Sequence, residues 1–302
     1  MKKAFLYGIL SSAFFAVTFL LNRSMNLSGG YWVWGASLRY FFSLPILFVI
    51  VVLRGNWKRV VSDIQKQPMQ WVLWSTVGFG VFYAPLTVAS EFGESWLIAS
   101  LWQLTIVAGV FLNSLWGKKI PIKSLGTIFI ILIGVVLMQW ENMKSGVNKE
   151  EIIVCFLFVL IAAIAYPLGN RKMMDVCEEG LETPERVLGM TICSVPFWIL
   201  LSIYGGITHG APTTNQSLQS FVVAIFSAVI ATLLFFQATN MVKHSPKQLS
   251  MVEGTIAGEV LFTLIGGIFL LHDNLPTTIQ VIGIVFIVVG MILNCQVAAK
   301  EN

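Results

Sequence analysis

Charge is scarce in this chain, and that scarcity excludes most classes of soluble protein. Only 11% of its 302 residues are charged, whereas 56% are hydrophobic. Soluble domains carry charge on roughly a quarter of their residues. The net charge of +4 is also too small and too scattered for a nucleic-acid-binding surface. The composition therefore predicts an integral membrane protein, with membrane lipid but not nucleic acid among its partners.

The motifs of catalysis and cofactor binding are missing as well. The four cysteines lie far apart, and no histidine has a second ligand at a metal-site interval. The sequence has no HExxH motif, no paired acidic motif and no GxxxxGK[ST] loop. We therefore expect no metal, no cofactor and no ATP-driven step. An enzyme acting on lipid or isoprenoid substrates is disfavoured for the same reason.

What the sequence does contain is ten apolar runs, each long enough to cross a bilayer. They predict spans at 4–24, 31–53, 69–89, 95–116, 122–140, 151–170, 186–207, 217–240, 248–271 and 276–297. Lipid offers backbone groups no hydrogen-bond partners, so runs of this kind must be helical. The predicted fold class is an all-α integral membrane protein with ten transmembrane helices.

The distribution of Lys and Arg predicts the orientation. Most of the 19 basic residues fall on the side where the chain begins, including Lys2, Arg54, Lys123 and Lys247. Basic residues in short loops are retained on the cytoplasmic side. We therefore expect a multi-pass protein of the cytoplasmic (plasma) membrane with both termini in the cytoplasm.

The second half of the sequence repeats the order of the first. The ending Asn22-Arg23-Ser24-Met25 of the first span recurs as Asn170-Arg171-Lys172-Met173, and 100–106 in the fourth span is similar to 250–256 in the ninth. Because five is an odd number, the second set of spans must run upside down relative to the first. We predict two inverted five-helix repeats, 1–140 and 151–302, joined by an external loop at 141–150. This architecture is known chiefly from secondary transporters.

Longer segments carry a resemblance to a known family. LWGKKIPIKSLGTIFIILIGVVL (115–137) and FLLHDNLPTTIQVIGIVFIVVGMIL (269–293) resemble the junctions between fourth and fifth helices in the ten-helix EamA-like branch of the drug/metabolite transporter superfamily. YWVWGASLRYFF, WQLTIVAG, AYPLGNRKMM and VEGTIAGEV are similar to its multidrug resistance efflux subgroup. The resemblance covers nearly the whole chain and implies inverted repeats and export of small molecules. Junctions in this family often carry an acidic residue before the proline. In this chain that region has Lys118 and Lys119 in the first junction, and His272 and Asp273 in the second.

Glu253 and Glu259 are the candidates for proton coupling, because a carboxylate inside a membrane is costly and rarely idle. Glu259 lies about 16 Å into the predicted ninth span, near the middle of a core about 30 Å thick. Glu253 is shallower and about 120° away around the helix. The alternative is a structural glutamate that binds a neighbour such as Arg39. Small multidrug transporters of the superfamily use a first-helix glutamate for coupling, and this chain has none there.

Arg39, deep in the second span, is a candidate for holding an anionic substrate group, or else for an ion pair with Glu91 or Glu94. Arg23 and Arg171, at matching ends of the first and sixth spans, are candidate gate or interface residues, or simple anchors at the headgroups. Polar and aromatic residues within the spans are candidates for lining a cavity, although such residues also hold helices together. They are Gln103, Trp102, Tyr166, Asn170, Asn22, Thr255, Gln237 and Asn240.

These features favour a secondary active transporter that exports small amphipathic molecules by alternating access. Cationic drugs and metabolites are its candidate substrates, and protons are its candidate coupling ion. One alternative is a facilitative metabolite exporter without proton coupling. Another is a membrane sensor or assembly factor that transports nothing. No feature of the sequence predicts an oligomeric state.

Overall fold

The computed structural model describes residues 2–115, 122–144, 148–177, 181–242 and 245–301, and these form helices without strands. Lys118, Lys119 and Pro121 of the first junction, and 145–147 of the predicted external loop, lie outside the described residues. The predicted all-α membrane fold is confirmed. The described residues include ten helices that are long and apolar enough to cross a membrane: Lys2–Leu27, Trp32–Leu53, Pro68–Ala89, Ser95–Leu112, Ile122–Lys144, Lys149–Val176, Thr183–His209, Thr214–Asn240, Met251–Leu271 and Thr278–Val297.

The ends of these ten spans form two layers. In the layer that holds both termini, Arg54 after the second span pairs with Glu182 before the seventh, at 3.1 Å between Nη1 and Oε2. In the opposite layer, Trp34 at the start of the second span donates from Nε1 to Gly210 O after the seventh, at 3.0 Å. We call these layers the termini end and the far end. Between them, large apolar side chains such as Phe269 are exposed around the bundle, as contact with lipid requires.

The fifth and tenth spans form a closely packed pair. A Cβ atom on Gly134 would lie 2.5 Å from the backbone oxygen of Gly283, and one on Gly290 would lie 2.6 Å from the side chain of Ile131. Glycine therefore allows the two backbones to approach, as it commonly does between membrane helices. This explains the glycines that punctuate both apolar runs. The described residues of this pair contribute nothing to the main cavity of the bundle.

Several spans depart from regular α-helix near the middle of the bundle. The third and eighth spans contain the π-helical segments Thr76–Val81 and Ala224–Ala231. The fourth span is interrupted at Gln103, and the ninth contains the 3-10 segment Gly254–Ala257. Such departures change the rotation of the helix and often accompany functional sites. They change which side chains face the interior.

One short helix, Trp57–Lys66, was not predicted. It lies between the second and third spans, where the sequence analysis expected only a charged cytoplasmic connection. Val60 and Ile64, one turn apart, pack with Leu47 and Leu188 at the termini end. Its few apolar residues fall on one face, so a search for continuous apolar runs misses it.

Candidate functional site

A cavity of about 340 Å³ lies among the first four spans and the sixth to ninth spans. It extends from the middle of the bundle, at Arg39 and Glu259, to Arg186 and Phe235 near the termini end. Its walls are mainly apolar and aromatic with a few polar groups. This combination is typical of small-molecule sites.

Arg39 provides the positive charge at the middle of the cavity, and Arg186 provides a second one near the termini end. Its guanidinium donates to the hydroxyls of Thr18, at 3.3 Å, and Ser227, at 3.4 Å. It also lies over the ring of Tyr83, with 4.2 Å between Cζ and the ring centroid. Arg39 is only 9% exposed, and its Nε has no hydrogen-bond partner among the described residues. The direct contacts of this cation among the described residues are therefore with neutral groups.

The predicted alternative for Arg39, an ion pair with Glu91 or Glu94, is wrong. Glu94 instead accepts a hydrogen bond at 2.9 Å from Asn274 Nδ2 at the far end. Glu91 lies at the same end, where it borders a separate cavity with Glu94. Partial burial raises the pKa of the Glu91 carboxyl, although a hydrogen bond from the Trp32 backbone opposes this effect. Both carboxylates lie beyond the ends of the spans, whereas Arg39 lies about two helical turns inside the second span.

Glu259 provides the negative charge on the cavity wall, and it is 5% exposed. Gln103 Nε2 lies 3.4 Å from Glu259 Oε2 and also donates to Ala99 O at 3.0 Å. The Oε1 atom of Gln103 is buried without a partner among the described residues. The sequence analysis suggested both residues as candidates but not their contact. Arg39 and Glu259 line the same cavity without forming an ion pair with each other.

An aromatic cluster lies beside these polar groups. Trp102, Phe82 and Tyr166 have ring centroids 4.8 to 5.5 Å apart. Asn170, one turn beyond Tyr166, also lines the cavity and donates from Nδ2 to Tyr166 O at 2.8 Å. Trp102, Tyr166 and Asn170 were all proposed from the sequence as cavity residues, and the structure brings them together.

Five other predicted residues lie outside this cavity. Asn22 is one turn nearer the far end, where its Oδ1 accepts from the Tyr83 hydroxyl at 3.1 Å. Thr255 donates to its own helix at Val252 O, and its hydroxyl faces Gly8 of the first span. Glu253 lies on a segment that packs against the tenth span. Gln237 and Asn240 are exposed near the termini end of the eighth span. The expectation that Asn22, Thr255, Gln237 and Asn240 line the cavity is therefore wrong for this structure, whereas Glu253 was a candidate for proton coupling only.

Arg23 lies in a polar network that closes the far end. Its Nη1 donates to Ser90 O at 3.2 Å, and its Nε lies 3.9 Å from Asp273 Oδ1. Asp273 Oδ2 accepts from the backbone N–H of Ser95, at 2.9 Å, and from its hydroxyl, at 2.5 Å. Asp273 therefore caps the start of the fourth span and links it to the first. The sequence analysis noted Asp273 only as a departure at the junction.

Arg171, which matches Arg23 in the repeat, makes a different contact. Its guanidinium donates to Gly109 O in the fourth span, through Nη1. Arg171 is half-buried and lies outside the main cavity. It joins the sixth span to the fourth on the termini side of Gln103. It therefore lies at the contact between the sixth and fourth spans, and its role as a gate, interface or anchor residue stays a prediction.

The site also contains residues that the sequence analysis missed. Ser227 contacts both Arg39 and Thr18, at 3.4 and 2.5 Å. Tyr40 stacks on Trp198 with 4.4 Å between centroids and lines the cavity. Arg186 marks the cavity's limit toward the termini end. A serine within an apolar run carries no signal by itself, but Ser227 lies within the π-helical segment Ala224–Ala231, which is visible only in the structure.

Comparisons with known proteins give consistent results. Residues 2–300 match a family described as "EmrE: Putative multidrug resistance efflux transporter". The chain is 47% identical to "Uncharacterized protein YjlA" of Bacillus subtilis (strain 168), over 97% of this chain and 94% of that protein. It is 26% identical to "Putative ribose uptake protein RbsU" of Latilactobacillus sakei subsp. sakei (strain 23K), over 68% of this chain and 67% of that one.

A solved structure described as "Crystal structure of protein" has the same fold. Its TM-score is 0.64 at 14% sequence identity, over 100% of this chain and 99% of that chain. The match with the family over nearly the whole length agrees with the resemblance found in the sequence. The chain belongs to the EmrE-type multidrug resistance efflux transporter family, within the drug/metabolite transporter superfamily.

Proposed function

We propose that this protein is a secondary active transporter that exports small amphipathic molecules across the cell membrane, with no catalytic step of its own. The observation that carries the proposal is the main cavity of about 340 Å³ with Arg39 and Glu259 on its walls. Charged groups within a membrane bundle typically mark a substrate or ion pathway. Aromatic side chains beside them offer contact to the apolar part of a substrate.

Alternating access would use the two ends of the bundle in turn. The far end is closed over the cavity by contacts of Arg23, Asp273 and Ser95, while the cavity extends toward the termini end. The excess of basic residues at the termini end supports a cytoplasmic location for that end. The structure would then correspond to a state that receives substrate from the cytoplasm. Export requires the far end to open and the termini end to close.

Glu259 is the proposed coupling residue. A carboxylate exposed in turn to the two sides of a membrane can take up a proton on one side and release it on the other. Glu259 lines the cavity, and its one side-chain hydrogen bond among the described residues is the long contact with Gln103. Glu253, the other candidate, lies outside the cavity, so the geometry favours Glu259.

The experiment compares two glutamate variants in proteoliposomes with an imposed pH gradient. The probe is a fluorescent lipophilic cation of the kind used in multidrug efflux assays. We expect Glu259→Gln to reduce gradient-driven flux by at least tenfold, because the variant cannot exchange a proton. Glu253→Gln is the matched control and should retain flux within about twofold of the unmodified protein. Unchanged, pH-independent flux in Glu259→Gln would remove proton coupling from the proposal.

A second candidate is facilitative transport of a metabolite without proton coupling. It is favoured by the name of the relative RbsU, which refers to ribose uptake. Ribose flux down its own gradient, independent of pH and unaffected by Glu259→Gln, would support this candidate. Flux of the lipophilic cation only in the presence of a pH gradient would support proton-coupled export.

A further inference from the structure

We infer that the preferred substrate is a zwitterion with an apolar body, whose anionic group binds Arg39 and whose cationic group binds Gln103 and Glu259. This inference deepens the proposed function and rests on it, because it takes the cavity as the substrate site. It narrows the proposed substrates from amphipathic molecules in general to zwitterions. Simple cations are then expected to bind more weakly than zwitterions. It is based on buried polar atoms of residues that line the cavity, Arg39 Nε and Gln103 Oε1, which have no hydrogen-bond partner among the described residues.

The first group is the guanidinium of Arg39. Buried arginines are normally paired with an anion, because an uncompensated charge in a low-dielectric interior is costly. Here Arg39 contacts two hydroxyls and an aromatic ring, and among the described residues it forms no ion pair. Its Nε has no partner. An anionic substrate group would supply the missing partner, and a carboxylate fits the planar guanidinium best.

The second group is the amide oxygen of Gln103. Gln103 is 1% exposed, and its Oε1 lacks a donor. Its Nε2 is already engaged with Glu259 and Ala99. This arrangement leaves an amide oxygen beside a carboxylate, and both accept hydrogen bonds. An ammonium group has three donors and a positive charge, so it fits this pair of acceptors.

The cavity's charges also disfavour a simple cation. A lipophilic cation could bind Glu259, but it would bring a third positive charge into the cavity that Arg39 and Arg186 line. Repulsion between like charges is strong where little water screens them. A zwitterion places opposite charges at both sites. Its apolar body could then contact the rings of Phe82, Trp102 and Tyr166.

The experiment measures binding to the purified full-length protein by isothermal titration calorimetry. Three probes share a phenylalkyl body: phenylalanine is a zwitterion, phenethylamine lacks the carboxylate, and 3-phenylpropanoate lacks the ammonium group. We expect phenylalanine to bind at least tenfold more tightly than either of the others. Tighter or equal binding of phenethylamine, or no binding of phenylalanine, would overturn the inference. This result requires no variant and so does not depend on any variant's folding.

Two variants then assign the two groups. Arg39→Gln should bring phenylalanine and phenethylamine within about twofold of each other, whereas the exposed control Arg54→Gln should retain the tenfold preference. Gln103→Leu should weaken phenylalanine several-fold and leave 3-phenylpropanoate unchanged. Loss of every probe in Arg39→Gln, with an unaltered elution profile, would contradict the assigned role. Binding of phenylalanine without flux in proteoliposomes would reject the proposed transport but not the zwitterion inference. Flux of a cation without binding of phenylalanine would reject the zwitterion inference but not the proposed transport.

Discussion

The two ends of this bundle are built from different interactions. At the far end, buried polar side chains connect spans that are distant in sequence: Asp273 contacts Ser95, and Gln216 donates from Nε2 to Tyr31 O at 2.7 Å. At the termini end, the cavity separates the spans, and the ion pair of Arg54 with Glu182 is exposed. Buried hydrogen bonds are costly to break unless replacements form, whereas exposed ion pairs contribute little. We therefore expect polar contacts at the far end to contribute more to the stability of this conformation than the exposed ion pair at the termini end.

Asp273→Ala should lower the thermal stability most, because it removes the side chain that links the first and fourth spans at the far end. The Asp273 side chain is 2% exposed and binds Ser95 and Arg23. Removing one partner from a buried charged network costs about 3 kcal/mol. We expect the thermal-unfolding midpoint of the detergent-purified protein to fall by several degrees.

The matched control for this prediction is Asp175→Ala. The Asp175 side chain is 71% exposed and pairs with Lys172 within one helix, at 3.9 Å. We expect its midpoint to stay close to that of the unmodified protein. Equal shifts in the two variants would show that the far-end network does not hold the spans together.

Gln216→Ala should have an intermediate effect at the same end. Gln216 is 3% exposed, and its loss removes one of the two hydrogen bonds that the Tyr31 carbonyl accepts, the other coming from the Trp34 backbone N–H. The expected cost is about 1 to 2 kcal/mol. Gln237→Ala changes an exposed glutamine near the termini end and should cost almost nothing. The measurement compares the thermal-unfolding midpoints of the two variants. A larger shift for Gln237→Ala than for Gln216→Ala would contradict the expected difference between the ends.

Much of the fold could be predicted because the membrane leaves few choices. A long apolar run in lipid must be a helix, so the ten spans follow from composition alone. The helix Trp57–Lys66 could not be found in this way, since its apolar residues are few and lie on one face. The domain division at 141–150 and its inverted symmetry stay predictions. The matching π-helical segments in the third and eighth spans are consistent with them.

The site was less predictable because it depends on helix rotation. Thr255 and Glu259 are four residues apart, so a regular helix would place them on one face. Thr255 lies within the 3-10 segment Gly254–Ala257, whereas Glu259 lies in the α-helix that follows, and of the two only Glu259 lines the cavity. The contact of Gln103 with Glu259 joins two helices whose rotations the sequence does not specify. Residue type identified the candidates, while local helix geometry selected among them.

Arg54→Ala should have the smallest effect, and it tests the termini end directly. The Arg54 and Glu182 side chains are 48% and 62% exposed, so water and salt screen their attraction. Exposed ion pairs contribute roughly 0 to 1 kcal/mol. We expect the thermal midpoint to change by no more than about 2 °C at either low or high salt, since a term this small shifts the midpoint little. A shift at low salt as large as that of Asp273→Ala would mean that this pair also holds the conformation, and the two ends would then differ in exposure but not in strength.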